Sequence, residues 1–235
     1  MPLLAVKGVS KAFGGIQALN SCSFSVDQGT VTGLIGPNGS GKTTVFNVIT
    51  GYERPDAGEV LYQDQAIHGQ SPRAVFQRGI GRTFQSPRIF PRLTLIENLK
   101  IPVRASGGPQ TPEDDVNRWL EFVGLDRYGT AQAGSLSYGQ RKLLEFAMML
   151  AANPQLVLLD EPAGGVNPAM METMARLITE MNRRGVTFLI VEHNMGFVMS
   201  LCQHVVVMHR GQVIASGPPA VVQEDQAVLD AYLGD

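Results

Sequence analysis

The chain has 235 residues, 44% hydrophobic and 17% charged, with a formal net charge of −2 and a pI near 6.1. That suits one large domain, or a domain with a small appended lobe, and the missing basic excess speaks against nucleic acid as a partner. No run reaches the roughly 18 apolar residues of a membrane span. Met1 to Lys7 lacks the pattern of a signal peptide, and Cys22 and Cys202 stand far apart, as reduced core thiols do.

In chain order, Leu3 to Val9, Ser21 to Val26 and Glu59 to Tyr62 read as short strands of a small antiparallel sheet. Val31 to Ile35 reads as a buried strand, and Thr43 to Ile49 as the helix after it. From Ser86 to about Ala133 no strand pattern appears; Pro and Gly recur, Ser106 to Pro112 reads as a flexible loop, and a helix is predicted from Glu113 to about Val123. Ser137-Tyr138-Gly139-Gln140 has the S-x-x-Q form of a capping box before a helix reaching Ala152. Leu156 to Leu159, Thr187 to Val191 and Val205 to Met208 are strand-length apolar runs, with an amphipathic helix from Met170 to Arg184 between the first two. Strands alternating with helices predict a parallel-sheet α/β core carrying an inserted helical lobe.

Gly36-Pro37-Asn38-Gly39-Ser40-Gly41-Lys42-Thr43 matches G-x-x-x-x-G-K-[ST] in full, between a predicted strand and a predicted helix. Glycines let the backbone wrap phosphate oxygens, which the N–H groups and the helix N-terminus then bind. Lys42 is expected to neutralise the β and γ phosphates of ATP, and the Thr43 hydroxyl to ligate Mg²⁺. Thr44 adds a second hydroxyl nearby.

Leu156-Val157-Leu158-Leu159-Asp160-Glu161 sets two acids at the end of a buried strand, where parallel sheets deliver their ligand-binding residues. Asp160 is placed for the magnesium shell and Glu161 for general-base attack on water. His193, close after Thr187 to Val191, could hydrogen-bond the γ phosphate or hold the water. The methionines Met148, Met149, Met170, Met171, Met174 and Met181 read as core filler. Arg82, Arg88 and Arg92 read as a solvated face of the helical lobe or as a phosphate or lipid contact, and Trp119 as an anchor within that lobe.

A P-loop, then Leu136-Ser137-Tyr138-Gly139-Gln140, then Asp160-Glu161, in this order, resembles the nucleotide-binding cassette of ABC transporters, from about Leu3 to the C-terminus. The resemblance implies a P-loop NTPase core with a small antiparallel β subdomain (1–84 and 153–235 together) and an inserted α-helical subdomain (85–152). It implies that Phe13 stacks on adenine and that Gln85 is the Q-loop residue, contacting Mg²⁺ and coupling to a membrane partner. Ser137, Gly139 and Gln140 would be the signature residues that meet ATP bound to the opposite subunit. Asp160 and Glu161 fall on Walker B, Ala163 to Asn167 on the D-loop, and His193 on the switch histidine. The chain departs from the commonest family pattern at Tyr138 (usually Gly), Asn167 (usually Asp) and Phe13 (often Tyr).

Phe84 to Phe90, Leu93 to Leu99, Glu161 to Pro168, Glu192 to Met195 and Ala231 to Gly234 look like the ATP-binding subunits of branched-chain amino-acid importers. The expected function is therefore that of an ATP-hydrolysing transporter subunit on the cytoplasmic side of the cell membrane. It would work as a head-to-tail dimer with a second such ATPase, the same chain or a paralogue. It would energise a separate integral membrane permease that receives cargo from a periplasmic or extracellular solute-binding protein. Related branches that export lipopolysaccharide or import urea and short amides remain alternatives. So does a non-transport cassette ATPase, although the chain has no heptad run and a single cassette.

Overall fold

The computed structural model describes residues 2–106 and 113–233. Apart from Ser106, the loop expected at 106–112 lies outside the described residues, as does Gly234. The N-terminal strands are longer than their hydrophobic patterns suggested. β1 (Pro2–Phe13) and β2 (Ile16–Asp27) form one long hairpin, joined by β4 (Ala57–Tyr62) and β5 (Gln65–Ala66) in the antiparallel order β2-β1-β4-β5. Register shifts break the alternation along β1, which is why its polar distal half did not read as strand. That extension carries Phe13 to the hairpin tip.

The second sheet has six strands in the order β10-β9-β3-β8-β7-β6. β3 (Val31–Ile35), β7 (Leu156–Asp160), β8 (Thr187–Val191) and β9 (His204–His209) match the apolar runs closely. β6 (Ile80–Arg82) and β10 (Gln212–Gly217) are too short or too polar to have stood out. All neighbours are parallel except the edge strand β10.

Because side chains alternate across a strand, each buried strand feeds two cores. Val157, Leu159, Phe188 and Ile190 pack on one face with Leu144, Ala147 and Ile178. Leu156, Leu158, Leu189 and Val191 pack on the other with Phe46, Val48 and residues of β1 and β2. Parallel strands covered on both faces read as unbroken apolar runs for this reason.

Between β6 and β7 lie α3 (Leu95–Ala105), α4 (Glu113–Phe122) and α5 (Tyr138–Ala151). α3 was not apparent as a helix in the sequence, since Pro102 lies inside it. It is nucleated by a complete capping box in which Thr94 receives the N–H of Glu97 and Glu97 returns the bond. The capping box expected at Ser137 is present: Ser137 Oγ accepts from Gln140 N and Gln140 Oε1 from Ser137 N. α1 (Lys42–Ile49) follows β3, α2 (Pro72–Gln77) precedes β6, α6 (Pro168–Arg183) lies between β7 and β8, and α7 (Met195–Leu201) follows β8. Met148, Met174 and Met181 are buried core and Met149, Met170 and Met171 pack against it, as core filler should. Cys22 and Cys202 are free and buried. Trp119 packs edge-on against Phe122 within the helical lobe.

Candidate functional site

Four strands that neighbour one another in space, β3, β8, β7 and β6, end at the same edge of the sheet. At or just beyond their C-termini come, in that order, the P-loop, His193, Asp160 with Glu161, and Gln85. Residues spread over about 160 positions are thereby gathered at one crevice, where open α/β sheets bind ligands.

The P-loop runs from Gly36 into α1. At Gly36 (φ +148°) an added Cβ would lie 2.1 Å from the carbonyl oxygen of Met208, and at Gly41 (φ +105°) 2.6 Å from that of Ala18. Only glycine allows both the turn and this close approach. The Lys42 ammonium is folded into the loop, donating to the carbonyls of Gly36 (2.7 Å) and Pro37 (2.8 Å) and to Ser40 Oγ (3.3 Å). Burial lowers its pKa, against the pull of the nearby Glu161 and Asp160 carboxylates. A backbone cradle closed by a lysine and opening onto a helix N-terminus fits the polyphosphate of a nucleotide. Phe13, 43% exposed at the hairpin tip, presents its ring with Lys11 Nζ 5.3 Å from the centroid.

Thr43, Gln85 and Asp160 line one cleft of about 470 Å³ with Asn47, Tyr52 and Arg82. Their hydroxyl, amide and carboxylate oxygens are the hard donors that Mg²⁺ takes together with substrate phosphates, without an all-protein cage.

Glu161 lies in the left-handed region (φ +50°), which non-glycine residues seldom occupy. Its carboxylate is held from both sides: Gln85 Nε2 donates to Oε2 at 2.9 Å, and His193 Nε2 lies 3.2 Å from Oε1. The fold thus brings Gln85 and His193 each into direct contact with Glu161.

Ser137 and Gln140 bond each other rather than the P-loop, and Ser137 is exposed. Tyr138, where the common family pattern has glycine, sends its hydroxyl to the carbonyl of Gln85 (3.1 Å) and sets its ring against Gly165. Asn167 caps α6 by accepting from Met170 N (2.9 Å), a bond that needs an oxygen but no charge.

Arg82 corrects one expectation. It is not on a solvated face: it is 9% exposed, with Nη2 3.2 Å from Asp160 Oδ2 and Nη1 bonded to Asn47 Oδ1 (2.7 Å) and Thr50 Oγ1 (3.0 Å). The rings of Phe46, Tyr52 and Phe84 surround its guanidinium. Arg88 is exposed but stacks on Phe84, and Arg92 is exposed. Burial raises the pKa of Asp160 and lowers that of Arg82, and their attraction offsets this only in part. Removing one member of such a pair leaves an uncompensated buried charge, worth about 3–5 kcal/mol. Arg82→Ala is therefore expected to lower the thermal midpoint by on the order of 10 °C, read by calorimetry on the nucleotide-free protein; an unchanged midpoint would contradict the pairing.

Three further side chains escaped sequence reasoning. Lys142, buried on α5, donates to the carbonyls of Glu161 (2.5 Å) and Pro162 (3.4 Å). Glu145, one turn on, accepts from Arg88 N (2.9 Å); burial pushes its carboxyl up to about 7, against the main-chain donors of Arg88 and Phe84. Glu192 receives main-chain N–H groups from the segments that follow β7 and β8. One signal was available for Glu192: like Asp160, it is an acid at the C-terminal end of an apolar core strand.

With this geometry, comparison with known proteins is decisive. Residues 19–164 match the ABC transporter family model. The chain belongs to the ABC transporter ATP-binding family. It is an ATPase of that family, with a nucleotide-binding cassette for ATP and ADP. Residues 212–235 match a second model, described as branched-chain amino acid ATP-binding cassette transporter. The high-affinity branched-chain amino acid transport ATP-binding protein LivG of Escherichia coli K12 is 36% identical over 251 residues, covering 100% of this chain and 98% of the relative. A probable LivG of Archaeoglobus fulgidus is 37% identical over 247 residues, covering 100% and 96%. Crystal structures of an ATP-binding cassette of an ABC transporter, in its ADP conformation and nucleotide-free, each align over 100% of both chains with a TM-score of 0.89 and 36% identity. No helix among the described residues is long and apolar enough to cross a membrane.

Proposed function

We propose that this ABC ATPase powers the import of branched-chain or other hydrophobic amino acids. The observation that carries the motor reading is the convergence of P-loop, Asp160, Glu161, Gln85 and His193 on one edge of the sheet. The cargo reading rests on the full-length likeness to branched-chain amino-acid transport relatives and on the match at residues 212–235.

In this reading Phe13 stacks on adenine. The P-loop amides of Gly36 to Gly41, Lys42 and the Thr43 and Thr44 hydroxyls hold the phosphates. Thr43, Gln85 and Asp160 would hold Mg²⁺, which neutralises charge between the β and γ phosphates when bound. Glu161 takes a proton from water as the water oxygen attacks the γ phosphorus and the bond to the bridging oxygen breaks. His193, in contact with Glu161, orients that carboxylate and reaches toward the γ phosphate.

Ser137 and Gln140 bond each other, and with Gly139 they would complete the site of a second ATPase subunit, giving a head-to-tail dimer. Residues 85–152 act as the helical subdomain, and 1–84 with 153–235 as the β subdomain and core. The subunit sits on the cytoplasmic side of the inner membrane and drives permease subunits, which receive cargo from a solute-binding protein outside.

A peripheral motor binds nucleotide and leaves cargo to its partners. In calorimetric titrations the isolated chain is expected to bind ATP with magnesium and to show no heat with leucine, isoleucine or valine. Stoichiometric amino-acid binding would overturn the motor reading. Co-purification with permeases that transport a different cargo would overturn the amino-acid assignment alone.

A further inference from the structure

We infer that Glu192 is a positioning residue for ATP hydrolysis, its buried carboxylate tying the main chain just after Glu161 to the main chain that carries His193. The inference rests on the roles proposed above for those two residues. Glu192 follows β8 directly and is 3% exposed. Its Oε1 accepts the N–H of Ala163 at 2.6 Å, while Oε2 accepts those of His193 at 3.0 Å and Asn194 at 3.3 Å. Hydrogen bonds to an ionised acceptor are the strong ones. Only a carboxylate of this length offers acceptors alone at both ends of the span; glutamine would turn an NH₂ toward one of the donors.

The same stretch is held from its other side. Lys142 binds the carbonyls of Glu161 and Pro162 from α5, and the negative charge of Glu192 acts on the Lys142 ammonium. Residues 161–163 are therefore gripped at their carbonyls by a buried cation and at an amide by a buried anion. Left-handed backbone at a residue such as Glu161 persists only where its surroundings over-determine it, and these two charges supply that constraint. One consequence is that the Glu161 carboxylate and the His193 ring, 3.2 Å apart, keep their register as a unit.

Glu192→Gln in the full chain tests this. Turnover is expected to fall about tenfold or more, with the affinity and stoichiometry for a fluorescent ATP analogue unchanged within about twofold, a split that identifies a group acting on the chemical step. In the nucleotide-free protein, amide exchange at 163 and 193–194 should speed up by about tenfold or more while β3 and β7 keep their protection. Wild-type turnover, a loss of binding sites matching the loss of turnover, or unchanged exchange at those amides would each overturn the inference. If Glu192→Gln does not fold, Glu192→Asp, which keeps the charge but withdraws it by one methylene, is judged by the same criteria. Should Glu161→Gln and His193→Ala both retain wild-type turnover, the reading of the site fails; should they lose it while Glu192→Gln does not, only the positioning role fails.

Discussion

Glu161→Gln is expected to lower ATP turnover by about 10²–10⁴-fold, the usual effect of removing a general base, while nucleotide binding persists. The amide keeps the shape of the side chain and one acceptor oxygen but has no useful basicity. Binding is spared because the described hydrogen bonds of Glu161 go elsewhere than the P-loop: its carboxylate partners are Gln85 and His193, and its main chain is held by Val191, Gly164 and Lys142. ATP held between the two subunits of the proposed head-to-tail dimer is expected to close it and hydrolysis to reopen it, so the variant should accumulate with MgATP as a closed dimer, seen as a shift on size-exclusion chromatography. If the working pair is heterodimeric, the partner ATPase must be present. Asp160→Asn should differ by weakening nucleotide binding as well, because Asp160 is the proposed magnesium group. Hydrolysis by Glu161→Gln near the wild-type rate would move the base elsewhere, and His193, 3.2 Å away, would be the first residue to substitute.

Lys42→Ala is expected to abolish measurable turnover and to weaken nucleotide affinity by about tenfold or more. A charge-assisted hydrogen bond to phosphate is roughly twice as strong as a neutral one, and no other cation enters the loop among the described hydrogen bonds. Lys42 Nζ spends its three donors on Gly36, Pro37 and Ser40, so the substitution also loosens the P-loop. The core beneath it, Phe46, Val48 and Ile49 against β1 and β2, is untouched, and far-UV circular dichroism should match the parent. Equilibrium binding of a fluorescent ATP analogue and a phosphate-release assay check both effects. Near-normal ATPase activity in the variant would overturn the assignment of the phosphate cradle.

The parts of this molecule legible in its sequence are those whose chemistry is local. The P-loop is contiguous, and its glycine positions follow from backbone geometry within eight residues. The Ser137 capping box needs three residues of reach, and the buried strands β3, β7, β8 and β9 announce themselves because both faces are covered. The weaker elements were hidden for equally physical reasons. β6 is three residues long, α3 contains a proline, and β1 continues past its apolar half through register shifts that only its pairing with β2 and β4 sustains.

By itself the sequence determined the family, the P-loop motif and the identity of the acids and the histidine at the strand ends. Each of these depends on residue type and short spacing. The tertiary structure decided which of these groups touch. Spatial strand order is not sequence order, and the sequence β3-β8-β7-β6 across the sheet is what sets His193 and Gln85 on opposite sides of the Glu161 carboxylate. It also decided the fate of the charges that no motif marks. Arg82 could as well have been solvated as buried, and it is buried because Asp160, Asn47 and Thr50 arrive from two other elements to receive it. Lys142 acquires its partners the same way, from carbonyls 19 and 20 residues distant, and Glu192 adds to its own neighbours the amide of Ala163, 29 residues away. A buried charge is tolerated only where its partners converge, and convergence across separate strands is a property of the folded chain.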